Sequence, residues 1–147
     1  MPRLRILVAD DNPELLKELT FLLGVEFEVI ATATDGKSAL ELIRRDKPDV
    51  AVLDLAMPML NGIQVTEHLA KDGPPVVICS VETDPEIVEA SRRAGALAYV
   101  FKSRIEKDLI ATVRSVAAIN RLPKQTNNSI LEIALETPIH ESHKQSL

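Results

Sequence analysis

The stretch Val50-Ala51-Val52-Leu53-Asp54-Leu55-Ala56-Met57-Pro58-Met59-Leu60-Asn61-Gly62 runs from four apolar residues into an acid, then into a turn marked by Pro58 and Asn61-Gly62. A short apolar run without polar alternation reads as a strand buried on both faces of a parallel sheet. In an open parallel α/β sheet, ligands bind outside the carboxyl ends of the strands. An ionisable group at the end of a buried strand is costly without a partner. Asp54 is therefore the first candidate functional residue; the bland alternative is a turn residue ahead of Pro58.

Outward from this stretch the same unit recurs. Apolar runs at 6–10, 27–33, 76–80 and 98–102 join 50–54, and their ends are spaced by 21 to 26 residues. Helical periodicity fills the gaps. The first helix carries Leu15, Leu16, Leu19, Leu22 and Leu23 on one side, with Asn12 as N-cap, Pro13 at the first position and Gly24 to close it. The second covers about 37–45, with Leu40 and Ile43 inward. The third follows Asn61-Gly62 through Val65 and Leu69. The fourth starts near Asp84-Pro85, ends at Gly95 and uses Ile87, Val88 and Ala94. The fifth covers about 106–120, through Leu109, Ile110, Val113, Val116 and Ala117.

Strict alternation of strand and helix predicts an α/β domain over residues 1–122: a five-stranded parallel sheet covered on both faces by five flanking helices. Residues 123–147 read as a polar linker and short tail. Within it, Ser129 and Glu132 frame a capping box ahead of Ile130-Leu131-Glu132-Ile133-Ala134-Leu135, so one short helix is expected. His140 and His143, three apart, are weak evidence for a metal site without further ligands.

Composition narrows the function classes. At 147 residues, with 46% hydrophobic and 27% charged residues, the chain matches one ordinary globular domain. No apolar run approaches the roughly 20 residues that cross a bilayer. The residues between Arg5 and Asp10 are too few for a secretory apolar core. The one cysteine, Cys79, excludes an intrachain disulfide and fits a reducing compartment, so a cytoplasmic location is expected. In a buried strand Cys79 reads as a small hydrophobe. Seventeen Lys+Arg against twenty-two Asp+Glu leave a net charge of −5, without the cationic footprint of a nucleic-acid binder. Direct nucleic-acid binding and membrane association are not expected.

The strand ends decide the chemistry. Strand one ends Ala9-Asp10-Asp11, strand three Leu53-Asp54, strand four Cys79-Ser80 and strand five Phe101-Lys102. Three crowded carboxylates push one another toward protonation unless a cation neutralises them. Mg²⁺ suits such a site, because it takes oxygen ligands and keeps waters that a phosphate can displace. A lysine beside a metal-carboxylate cluster fits phosphoryl transfer, where metal and ammonium neutralise phosphoryl oxygens during in-line attack. The nucleophile would be a carboxylate and the product an acyl phosphate. Taken singly, Asp10 and Asp11 read as acids favouring a helix N-terminus, Lys102 as a solvated strand end, Ser80 as a turn residue and Tyr99 as a half-buried strand aromatic.

Asp10-Asp11, Asp54 within Asp-Leu-Ala-Met-Pro-Met-Leu-Asn-Gly, Ser80, Tyr99 and Lys102 together resemble the receiver (CheY-like) domain of two-component response regulators, over about residues 3–120. The resemblance implies a flavodoxin-like, doubly wound sheet in strand order 2-1-3-4-5, and that Asp54 accepts a phosphoryl group from a histidine kinase or phosphotransfer protein. It implies that Asp10, Asp11, Asp54 and the backbone carbonyl of Ala56 hold Mg²⁺, and that Lys102 pairs with the phosphoryl group. Ser80 donates to a phosphoryl oxygen, and Tyr99 turns inward after it. The helix 4–strand 5–helix 5 surface then changes for an unidentified protein target; the resemblance also allows a phosphorylation-dependent homodimer. It implies a stand-alone regulator that catalyses its own phosphotransfer and dephosphorylation and is otherwise not an enzyme.

Two residues depart from the family pattern. Ser103 stands where a proline usually follows the lysine, and Val81 stands where a small residue usually follows the switch hydroxyl. Both bear on rates rather than on the chemistry. Four other readings remain. A receiver fold can serve as a phosphorylation-independent interaction module, or as part of a longer regulator whose output domain is missing. A flavodoxin-like cofactor carrier shares the fold, but Asp10-Asp11-Asn12-Pro13 would repel a flavin phosphate. An aspartyl-nucleophile phosphatase would need an acid two residues after its nucleophile on strand one, where Asn12 stands.

Overall fold

The computed structural model describes residues 2–120, so the expectations for 123–147, including the capping box at Ser129 and the pair His140 and His143, lie outside the described residues. Elements alternate strictly: β1 Arg5–Ala9, α1 Pro13–Gly24, β2 Glu28–Ala33, α2 Gly36–Asp46, β3 Val50–Leu53, α3 Gly62–Leu69, β4 Val76–Ser80, α4 Pro85–Ala94, β5 Ala98–Phe101, a 3-10 turn Lys102–Arg104, and α5 Ile105–Asn120. All strands pair in parallel in the order β2-β1-β3-β4-β5. The sheet order and helix number match the sequence-based expectation.

The three central strands are buried along almost their whole length, which explains their unbroken apolar sequences. Successive side chains point to opposite faces. Ile6, Val8, Val50 and Val52 meet Leu19, Leu23, Leu109 and Val113 under α1 and α5. Leu7, Ala9, Ala51 and Leu53 meet Leu40, Ile43, Val65 and Leu69 under α2 and α3. Each fully buried Leu or Ile contributes about 1.5–3 kcal/mol relative to exposure. The sheet lies between two cores, one on each face, and its carboxyl edge is left as the place where loops meet.

Local details differ from the expected ones in three places. Gly24 does not close α1 with a left-handed turn: the helix runs through it and caps at Val25 with φ −62°. The Arg3 guanidinium donates to the carbonyls of Gly24, Val25 and Glu26, satisfying the helix end by a side chain instead. In α4, Ile87, Val88 and Ala94 are only half-buried, while the residue packed inward is Ser91, whose hydroxyl donates to the Ile87 carbonyl at 2.9 Å. Strands β1, β3 and β5 stop at Ala9, Leu53 and Phe101, one residue before Asp10, Asp54 and Lys102.

Candidate functional site

Strand register brings the candidate residues together. Ala9 is opposite Leu53, so Asp10 and Asp54 follow side by side at the end of adjacent strands. Ser80 is opposite Phe101, which places Lys102 one residue beyond it. The amide of Asp54 donates to the Ala9 carbonyl at 2.9 Å, continuing the ladder to the edge of the site.

Asp10 and Asp54 are buried, at 1% and 5% exposure, whereas Asp11 is exposed. Carboxylate oxygens of Asp10, Asp11 and Asp54 lie within 4.8 Å of one another. Lys102 reaches in from the start of the 3-10 turn, its ammonium nitrogen 2.9 Å from Asp10 Oδ2 and 3.1 Å from Asp54 Oδ1. Asp10 Oδ1 accepts the Asn12 amide at 2.9 Å, and Asn12 Oδ1 in turn caps α1 on the amides of Glu14 and Leu15. Asp10 Oδ2 is fully buried, and its ion pair with Lys102 lacks the direction of a hydrogen bond. A buried carboxylate oxygen held only by that ion pair, and grouped with two further carboxylates, fits a hard cation that binds oxygen.

The electrostatics agree. Burial pushes the Asp54 carboxyl above its usual range, the Asp10 charge pushes the same way, and Lys102 opposes both. Burial alone would lower Lys102, but its contact with Asp10 and the charge of Asp54 outweigh it and hold the ammonium above its usual value. Cys79, in β4 beside this cluster, is buried, and desolvation pushes its thiol up to about 12. It behaves as the small hydrophobe expected.

Ser80 is buried at the end of β4, and its Oγ accepts the Glu82 amide at 3.0 Å, a local turn bond. Tyr99 is half-buried on β5, stacks edge-on against Phe101 with ring centres 5.7 Å apart, and donates its hydroxyl to the Glu82 carbonyl at 2.8 Å. Burial raises its phenol pKa, with the Ser80 hydroxyl acting the other way. Val81 is 77% exposed next to Ser80, and Met59, 69% exposed, takes a positive φ of 73° in the loop after Asp54. Ala56 is exposed in that same loop. The Lys102-Ser103 bond is trans, as are all peptides among the described residues.

Gly62 has a steric reason that the sequence alone does not show. Its amide donates to the Leu55 carbonyl at 2.9 Å, and Asn61 caps α3 in a reciprocal capping box with Gln64. Sequence reasoning missed Glu82, whose backbone touches both Ser80 and Tyr99. The signal available was only its spacing, two residues after Ser80.

No helix among the described residues is long and apolar enough to cross a membrane. Residues 6–114 match the model of the response regulator receiver domain. The DNA-binding response regulator MtrA of Mycolicibacterium smegmatis is 37% identical over 144 residues, covering 97% of this chain and 63% of MtrA. The chain thus spans less than two thirds of the length of that relative. Protein PilH of Pseudomonas aeruginosa is 35% identical over 118 residues, covering 78% of this chain and 98% of PilH. The signal receiver domain of NarL from Mycobacterium tuberculosis superposes with a TM-score of 0.77 at 30% identity, covering 80% of this chain and 98% of that one. The strand order, the buried carboxylates against one lysine and the family match over 6–114 lead to one conclusion: this chain belongs to the response regulator receiver domain family.

Proposed function

We propose that the chain is a phosphorylation switch in which Asp54 is the phosphoacceptor. The carrying observation is a carboxylate buried at the end of β3, 3.1 Å from a lysine ammonium and grouped with two further carboxylates. Asp10, Asp11, Asp54 and the Ala56 carbonyl would hold Mg²⁺, which when bound neutralises charge on the phosphoryl oxygens. An Asp54 carboxylate oxygen attacks phosphorus in line, the bond from phosphorus to the donor's nitrogen or oxygen breaks, and an acyl phosphate forms. Lys102 pairs with the phosphoryl oxygens. Water later cleaves the acyl phosphate, returning Asp54 and inorganic phosphate, so the chain catalyses its own transfer and hydrolysis.

The donor is a histidine kinase or phosphotransfer protein, acting in the cytoplasm. Ser80 donates its hydroxyl to a phosphoryl oxygen, Tyr99 follows, and the α4–β5–α5 surface shifts between two conformers that a protein target or a second copy distinguishes. The likeness to MtrA over 144 residues, which runs past the end of α5, favours one further reading of the output. In it the chain is the receiver part of a longer DNA-binding regulator. The PilH likeness, which covers 98% of that protein, favours the stand-alone reading instead.

Intact mass after incubation with acetyl phosphate tests the switch chemistry. Gain of one phosphoryl group only with Mg²⁺, and only with Asp54 present rather than in Asp54→Asn, supports it. No gain in the wild type from acetyl phosphate or from a phosphorylated histidine donor overturns it in favour of a phosphorylation-independent interaction module.

A further inference from the structure

Four hydrogen bonds converge on Glu82, a residue to which the roles above assign nothing. Its amide donates to Ser80 Oγ at 3.0 Å and its carbonyl accepts the Tyr99 hydroxyl at 2.8 Å. Its carboxylate Oε1 folds back and accepts the amides of Thr83 at 3.1 Å and Asp84 at 3.0 Å. Asp84 then caps α4 through the Glu86 amide at 2.9 Å. Residues 81–84 are exposed and lie in neither helix nor strand. Such a segment has little buried apolar surface to define its path, so its side-chain hydrogen bonds carry that role.

We infer that Glu82 is a positioning residue of the switch: its carboxylate clamps the β4–α4 loop so that its own amide and carbonyl face Ser80 and Tyr99 at once. The inference rests on the reading of Ser80 and Tyr99 as the responding pair. When Ser80 Oγ turns to a phosphoryl oxygen, it gives up the Glu82 amide. A loop held by Oε1 shifts as one body and carries the Glu82 carbonyl, and with it the Tyr99 hydroxyl. Without the carboxylate, Thr83 and Asp84 lose their acceptor, and the loop absorbs the displacement before it reaches Tyr99. A glutamate that merely solvates a turn would leave Tyr99 indifferent to its loss.

Tyr99 is the one tyrosine and the chain has no tryptophan, so tyrosine fluorescence of the full chain reports this ring alone. Wild type, Glu82→Ala and Glu82→Gln are compared, the glutamine keeping an oxygen acceptor at the same reach. In the unphosphorylated chain, Glu82→Ala speeds amide exchange at Thr83 and Asp84 by about tenfold. It also raises acrylamide quenching of Tyr99, while Glu82→Gln stays near wild type. With Mg²⁺ and beryllofluoride as phosphoryl mimic, the Tyr99 response of Glu82→Ala falls to less than half that of wild type. Unchanged exchange and quenching in Glu82→Ala overturn the inference, as does a glutamine variant as loose as the alanine. A full beryllofluoride response in Glu82→Ala overturns it too, while leaving the switch reading intact. A wild type silent to beryllofluoride overturns the switch reading and the inference with it, whatever Glu82→Ala does to Tyr99.

Discussion

Gly62, the first residue of α3, lies directly against the backbone of Asp54: a Cβ there would stand 2.3 Å from the Asp54 carbonyl oxygen. The obstacle is backbone at the end of a buried strand, not a side chain that can swing aside. Gly62→Ala therefore forces the start of α3 away from β3, at a cost of about 1–3 kcal/mol. The melting temperature should fall by several degrees, and phosphorylation by acetyl phosphate should slow because the loop carrying Ala56 moves with the helix. A variant as stable as wild type would mean that the contact relaxes freely.

Asp54→Asn should raise the stability of the unphosphorylated chain while abolishing phosphorylation. Burial and the Asp10 charge hold the Asp54 carboxyl above its usual value, so the folded state binds its proton more tightly than the unfolded chain does. Stability from this group is then fully present below the unfolded value of 3.8 and is lost as pH rises above it through the folded value. Asparagine removes that loss. Melting curves without Mg²⁺ should show the variant ahead by about 2–4 °C at pH 7, with the gap closing toward pH 4. A gap that widens on acidification would reverse the argument.

Lys102 offsets two buried carboxylates, and its loss leaves both uncompensated. Lys102→Ala should cost about 2–4 kcal/mol in urea unfolding without divalent cation. Millimolar Mg²⁺ should restore much of that, because the cation supplies the missing positive charge to the same oxygens, and should stabilise the variant more than wild type. An Mg²⁺ effect equal in the two proteins would place the cation elsewhere.

The fold was readable because it depends on patterns that a linear sequence carries. Unbroken apolar runs mark β1, β3 and β4, and Asn12-Pro13 and Asn61-Gly62 mark the starts of α1 and α3. The site residues were readable for the same reason, since they stand at the strand ends that parallel register aligns. Interactions between distant backbones were not. Arg3 closing α1 depends on the β1 entry crossing the α1–β2 loop, and Gly62 matters because of where β3 ends. Glu82 meets Ser80 and Tyr99 through its main chain, which every residue type possesses, and its carboxylate bonds only the next two amides, so nothing in the linear sequence pointed to it.

The alkaline limb of the stability curve should carry the signature of Cys79. Burial holds its thiol up to about 12, against 9.0 for the free group. Between these values an unfolded chain loses the proton and the folded chain keeps it. Stability contributed by the neutral thiol is therefore present below pH 9.0 and is lost as pH rises toward about 12. Lys102 acts in the same direction at higher pH, since its ammonium is held above its usual 10.5 and its contribution fades only as pH passes through that raised value. Between pH 9 and 10 the thiol dominates. Cys79→Ala should lower urea stability at pH 7 by about 1 kcal/mol, through the small cavity left in β4, yet lose less than wild type on going to pH 10. Urea midpoints at pH 7, 9 and 10 decide the matter: converging curves follow from a buried neutral thiol, and parallel curves would show that another group controls the alkaline limb.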